Sequence, residues 1–213
     1  MYILPFEKIS KKDVKIAGGK GASLGEMTKA KIPVPPGFII LASAFDKFLE
    51  ETDINLEIEA QLKKVNPKKV TTVDDASEVL RNLINRHSMP KDIEKAVLDA
   101  YDKLKAKYVA VRSSATAEDS KIASWAGELE TYLGITKKDL LKSVKKCWSS
   151  LFTPRAIFYR IEKKLGGKAV SVAVVVQKMV EADTAGVAFT VHPVTKDKNQ
   201  MVIEASYGLG ESV

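Results

Sequence analysis

Two groups of residues in this sequence are of the kind that hold anionic oxygen. The first is Ala17-Gly18-Gly19-Lys20-Gly21-Ala22-Ser23-Leu24-Gly25-Glu26-Met27, where glycines stand before and inside a predicted helix with one lysine among them. Glycine lets backbone amides face an anion, and lysine adds a point charge. The spacing is not G-x-x-x-x-G-K-[ST], so this is no P-loop. The second group lies between Val109 and Tyr132, where the apolar run Val109-Ala110-Val111 delivers Arg112 and is followed by Ser113, Ser114, Ala115, Thr116, Ala117, Glu118, Asp119 and Ser120. It reads as a strand that hands over to a small-residue loop, closed by Trp125 and Gly127, whose hydroxyls and N–H groups suit phosphate oxygens. Residue types alone leave a second reading open for each group: a flexible turn with a surface lysine, and a Ser/Ala-rich connection with one solvated arginine.

The elements that must position these groups follow from hydrophobic periodicity. Pro33, Pro35, Pro36 and Gly37 form a rigid turn into the strand Phe38-Ile39-Ile40-Leu41, and Ser43 with Asp46 can cap a helix running through Glu51. From Ile54 to Tyr108 the pattern is helical. Ile58, Leu62 and Val65 make one stripe, Ala76, Val79, Leu80, Leu83 and Ile84 a second, and Ile93, Ala96, Val97, Ala100, Tyr101 and Leu104 a third after Pro90. Thr136 and Asp139 fit a capping box for a helix carrying Leu140, Leu141, Val144, Cys147, Trp148 and Leu151. Thr153-Pro154 opens another helix, which Gly166-Gly167 should end. The last third becomes strand-rich: Ala169 to Met179, Gly186 to Val191 and Gln200 to Ala205 predict a three-stranded antiparallel sheet. Such a sheet could be the second wall of a cleft whose first wall holds Lys20 and Arg112.

Bulk properties exclude several classes. A chain of 213 residues with 45% hydrophobic content is long and apolar enough for a core. The net charge of +7, from 34 Lys+Arg against 27 Asp+Glu, comes largely from lysine pairs spread over helical faces, such as Lys63-Lys64 and Lys145-Lys146. Few aromatics interleave with them, so nucleic acid is not an expected partner. No segment approaches the length of a membrane span and the N-terminus lacks a signal-peptide layout, so no membrane partner and a cytoplasmic location are expected. The single cysteine, Cys147, excludes an internal disulfide and sits on an apolar helix face as an inert thiol. His87 and His192 have no metal-ligand spacing around them and read as a capping or surface residue and a turn residue.

The strings GGKGASLGEM, VPPGF, VAVRSSATAED with its A-S-W-A-G turn, CWSSLFTPRAIFYR, VVVQKMV, GVAFTVHP and IEASYGLGE occur in that order. Together they closely resemble the nucleotide-binding domain of phosphoenolpyruvate synthases, relatives of pyruvate phosphate dikinase, over nearly the whole chain. The resemblance implies an α+β fold of the ATP-grasp type, helix-rich in its first part and an antiparallel sheet in its second. It divides the chain into residues 1–108, with the Gly-Lys segment, and 109–213, with phosphate loop, adenine hinge and sheet. Lys20 and Arg112 would meet the triphosphate of ATP, with Ser113, Ser114 and Thr116 beside them. Arg155 either points into that site or pairs with surface carboxylates. Main-chain groups of Gln177, Lys178, Met179 and Val180 would bond the adenine edge, unless this is a plain buried strand. Glu204 and Glu211 are candidates for orienting Mg2+ or ribose.

By the same resemblance the full-length enzyme phosphorylates a histidine on a mobile domain and passes the group to pyruvate in a barrel domain, giving phosphoenolpyruvate, AMP and phosphate. The sequence ends at Val213, where the family continues with an I-E-W-like strand and an L-Q-x-R-P-like segment that supply magnesium ligands. The T-S-H-A motif of the phosphohistidine domain is also absent. A C-terminally incomplete module, inactive alone, is therefore expected. The same module in a related dikinase (pyruvate phosphate dikinase, a glucan water dikinase, a rifampin phosphotransferase) or in a non-catalytic nucleotide-binding protein are the alternatives.

Overall fold

The run Val172-Ala173-Val174-Val175-Val176 has no polar alternation, the pattern of a strand covered on both faces. In the computed structural model, which describes residues 1–116, 130–163 and 171–210, this run is the central strand of an antiparallel sheet. The strands are β1 (Ile3–Pro5), β2 (Gly37–Ile40), β3 (Val109–Ala115), β4 (Thr131–Ile135) and β5 (Val172–Lys178), in the order β1-β2-β5-β3-β4. Ile39 lies opposite Val175, and Val175 opposite Arg112.

Successive side chains leave a strand on opposite faces, and here each face has its own cover. On one face Ala173, Val175, Ile39 and Leu41 pack with Phe6, Ile9 and Ala17, the last on α1 (Val14–Lys29). On the other, Val172, Val174, Val176, Val109, Val111, Phe38 and Ile40 pack against a helical layer. That layer contains α2 (Ala42–Thr52), α3 (Asn55–Lys63), α4 (Val70–Arg86), α5 (Lys91–Leu104) and α6 (Lys137–Ser149), while α7 (Pro154–Glu162) sets Ile157 against Val73 and Ala76 of α4. Trp148 of α6 is the largest fully buried side chain among the described residues, with ring centroids 5.6 Å from Phe45 and 5.1 Å from Phe48 on α2.

The periodicity places the helices well and the caps less well. The three stripes between Ile54 and Tyr108 are α3, α4 and α5, and Thr153 caps α7 by accepting from the Ala156 N–H at 3.2 Å with Pro154 in the first turn. α6 starts after Thr136 as expected, yet Thr136 makes no side-chain cap. Ser43 and Asp46 do not cap α2, which starts two residues before a Ser43 cap would place it, after Leu41. Asp46 instead accepts from the Ser171 hydroxyl at 2.8 Å. The expected helix end at Gly166-Gly167 lies outside the described residues.

The three strands expected in the last third do not form one sheet. β5 is drawn into the five-stranded sheet, because a strand of five consecutive small or β-branched apolar residues needs cover on both faces. The remaining two, β6 (Thr184–Phe189) and β7 (Val202–Tyr207), pair with each other alone. The chain accordingly forms two compact units, Met1–Met179 and Val180–Val213. The 108/109 division drawn from the sequence falls within the first, whose sheet takes strands from both sides of it. Two strands cannot bury their own faces, and Phe189, Ile203 and Tyr207 of the second unit are exposed. Among the described residues no helix is long and apolar enough to cross a membrane.

Trp148→Ala should cost about 3–5 kcal/mol, since it empties the contact between α2 and α6. Chemical denaturation of the variant against the parent measures it; a loss below about 1 kcal/mol would show that the cluster does not hold the layer to the sheet.

Candidate functional site

β3 is longer than its sequence suggests. The strand does not stop at Arg112 but runs through Ser113 and Ser114 to Ala115, and both serines are fully buried. The small side chain of Ser114 serves helix packing. α1 breaks its helical geometry at Gly18, with φ 69° and ψ 170°, a region open essentially to glycine. A Cβ at Gly18 would overlap the Ser114 hydroxyl and carbonyl. The helix restarts beyond this break, and one of its first N–H groups, that of Gly21, donates to Ser114 Oγ at 3.2 Å. A strand serine thus does the work that a capping side chain does at an ordinary helix start.

This docking brings Lys20 to β3, where its Nζ donates to the Ser113 carbonyl at 3.0 Å. Arg112 stands two residues before Ser114 and opposite Val175, so its side chain leaves the sheet on the face that α1 covers. Arg112 is partly exposed, but its Nε is buried without a hydrogen-bond partner among the described residues. The Lys20 segment and Arg112, 92 positions apart in sequence, therefore share one sheet face beside a restarted helix. A lysine, an arginine with an unsatisfied donor and a helix N-terminus are together suited to an anion.

The other expected contacts are placed differently. Ser113 Oγ donates to the Glu130 carbonyl at 2.9 Å, and Thr116 Oγ1 donates to the Ser171 carbonyl at 2.9 Å. Hydroxyls read as phosphate donors are thus bonded within the protein. Gln177 is buried and its Nε2 donates to the Pro35 carbonyl at 3.1 Å. The N–H groups of Lys178 and Met179 donate to the carbonyls of Pro36 at 2.9 Å and Tyr108 at 3.1 Å, so neither is available to a base edge. Val180 begins the second unit and is exposed. Arg155 is exposed on α7, on the side of the sheet away from α1. Glu204 lies exposed on β7 in the second unit, and Glu211 falls outside the described residues. No three His, Cys, Asp or Glu side chains among the described residues converge on a metal-holding point, so no chemical step is assigned to magnesium.

Sequence reasoning gave no role to Arg81, Glu130, Tyr132 or Ser171, and gave Asp46 only a helix cap that it does not make. Arg81 of α4 pairs with Glu130 at 2.8 Å, and the Tyr132 hydroxyl donates to the same carboxylate. Burial, then the bond to Glu130, raises the Tyr132 pKa. Ser171, whose carbonyl holds Thr116, donates to Asp46 and to the Ala42 carbonyl. Burial raises the Asp46 pKa above its ordinary 3.8, partly offset by the Ser171 bond. Burial likewise pushes the Cys147 thiol far up, consistent with an inert side chain. His87 bonds the Leu83 carbonyl at 2.7 Å at the end of α4, and His192 Nδ1 accepts from the Val194 and Thr195 N–H groups in a turn.

Gly18→Ala should destabilise the protein by at least about 3 kcal/mol, roughly 6–12 °C in melting temperature, because strain and overlap add. Gly134→Ala is the control: it also has positive φ, 68°, but its Cβ would meet nothing within 4 Å, so a Gly18 variant no worse than it would remove the close-approach argument. Asp46 gives a pH prediction. Its folded pKa is raised, so its contribution to stability is present below the unfolded value and is lost as pH rises through the folded one. Asp46→Asn should therefore stabilise the protein at neutral pH and lose that advantage below the ordinary carboxyl pKa; melting curves at neutral pH and near pH 3 decide it.

The family model described as the pyruvate phosphate dikinase AMP/ATP-binding domain matches residues 14–213. A probable phosphoenolpyruvate synthase of Methanocaldococcus jannaschii is 47% identical over 219 residues, covering 100% of this chain and 18% of that protein. Its counterpart in Methanothermobacter thermautotrophicus is 44% identical, covering 100% of this chain and 32% of that protein. The phosphoenolpyruvate synthase of Pyrococcus furiosus is 41% identical over 251 residues, covering 100% and 31%. The chain thus spans between 18% and 32% of the length of these curated relatives. With an α+β fold whose sheet is antiparallel, an anion-suited face at Lys20 and Arg112, and a family match over nearly its whole length, the chain belongs to the pyruvate phosphate dikinase AMP/ATP-binding domain family.

Proposed function

We propose that this chain is the ATP-binding portion of a phosphoenolpyruvate synthase, and that Lys20 and Arg112 hold the phosphate chain of ATP. The observation that carries the reading is the convergence of these two cations on one sheet face, beside the helix restart at Gly18. Phosphoryl transfer asks little covalent chemistry of a protein and much positive charge around the phosphates. Arg112 can bridge two oxygens with its planar fork, while Lys20 supplies a movable charge. Lys20 Nζ carries three N–H donors, so it can keep its bond to the Ser113 carbonyl and turn another donor to an anionic phosphate oxygen, the stronger acceptor.

In this reading the base lies towards Gln177–Val180. Because the N–H groups of Lys178 and Met179 are already donated, other groups of that stretch must recognise it. In the longer protein one of the two terminal phosphoryl groups of ATP passes through a histidine on a separate domain to pyruvate and the other goes to water, so that ATP, pyruvate and water give AMP, phosphoenolpyruvate and phosphate. The names of the relatives support this acceptor; a related dikinase with another acceptor would use the same cations on ATP.

Calorimetric titration with ATP and ADP tests the reading. The parent should bind both, and Arg112→Ala and Lys20→Ala should each weaken ATP binding roughly 10–100-fold, the loss of one charged hydrogen bond. Equal affinity in parent and variants would return both residues to structural roles, and a parent that binds no nucleotide would overturn the reading.

A further inference from the structure

A line of hydrogen bonds runs from the helical layer through the sheet to Lys20. Arg81 on α4 reaches Glu130 Oε1 at 2.8 Å, and the Tyr132 hydroxyl donates to Oε2. The carbonyl of Glu130 accepts twice from Ser113, from its N–H at 3.2 Å and its Oγ at 2.9 Å. The carbonyl of Ser113 in turn accepts from Lys20 Nζ at 3.0 Å. The Arg81 and Glu130 side chains are only 31% and 29% exposed, so salt screens their attraction less than that of a surface pair.

Each link is fixed on more than one side. Glu130 immediately precedes β4, and both its carboxylate oxygens and its carbonyl are engaged, so the residue has little freedom to rotate. Ser113 is fully buried and bonded at N–H, hydroxyl and carbonyl. Its carbonyl is therefore a fixed point, and Lys20 Nζ is tied to it. The geometric effect of this partly buried pair, which fixes the Glu130 carbonyl, is the consequence that reaches Lys20.

We infer that Arg81 and Glu130 are positioning residues for Lys20: through the Ser113 peptide they set where its ammonium group stands to receive phosphate. The inference rests on the ATP-binding reading of Lys20. It predicts a loss confined to the phosphate chain, because the relay ends on the lysine and not on groups near the base.

The test compares ATP with AMP, which lacks the outer phosphates, by calorimetry on the parent, Glu130→Gln, Arg81→Met and the double variant, each well below its melting temperature. Each single variant should weaken ATP binding by about tenfold and AMP binding by about twofold or less, and the double variant should be no weaker than the worse single one, since both break one line. Arg81→Lys should recover most of the ATP affinity. Should Glu130→Gln fail to fold, Arg81→Lys and Ser113→Ala carry the same comparison, with smaller losses in the same direction. Equal weakening of ATP and AMP, or no change in either, overturns the inference while leaving the nucleotide reading intact. A parent that binds neither nucleotide overturns that reading and this inference with it.

Discussion

The approach of α1 to β3 is the constraint on which the rest of the first unit depends. A helix can lie this close to a strand only where neither side carries bulk. Gly18 and Ser114 meet that condition, and Gly18 alone can take the backbone angles that the break requires. The break then makes a fresh helix start in mid-sequence. Its N–H groups need acceptors, and Ser114 supplies one to Gly21. One tight contact therefore sets helix direction, creates a helix N-terminus and delivers Lys20 to the sheet.

Behind that contact, the sheet separates two kinds of surroundings. One face is given to a helical layer centred on Trp148, Phe45 and Phe48, which makes a stiff backing. The other is covered by α1 over Ala173 and Val175 and carries Arg112 where that cover gives way to partial exposure. The side chains that face the helical layer hold the backbone of β3, and the backbone of β3 holds the cations on the opposite face. The line from Arg81 through Glu130 and Ser113 to Lys20 is the clearest instance. A sheet is well suited to this use, because alternate residues of one strand serve opposite faces without interfering.

Much of the fold is legible in the sequence, and the site is legible in part. The stripes of α3, α4 and α5 and the Thr153-Pro154 start of α7 are local signals, and they fall where periodicity puts them. β5 is legible as an apolar strand but not as the centre of a sheet, since its neighbours β2 and β3 lie far away in the chain. The extent of β3 is misread for a related reason. Ser113 and Ser114 look like loop residues by type, yet pairing with β5 keeps both extended and the approach of α1 requires Ser114 small. Lys20 and Arg112 are visible by residue type and family string, whereas Arg81 and Glu130 carry ordinary surface chemistry with no local signal, and the local signal at Asp46 is for a helix cap and not for its bond to Ser171.

The sequence by itself determined the chemistry available: glycines around a lysine, an arginine at a strand, helices striped for one buried face, and strings that assign the chain to a nucleotide-binding family. Those properties depend on residue type and on spacings of a few positions, which the chain carries however it folds. Only the tertiary structure decided which groups remain for a ligand and which are spent inside. Ser113, Ser114, Thr116 and the N–H groups of Lys178 and Met179 are spent on partners that lie as far away in the chain as Pro36 is from Lys178, while Arg112 Nε has no partner among the described residues. The physical reason is that a buried donor or acceptor must find a partner, and the partner it finds is set by which elements the packing brings together.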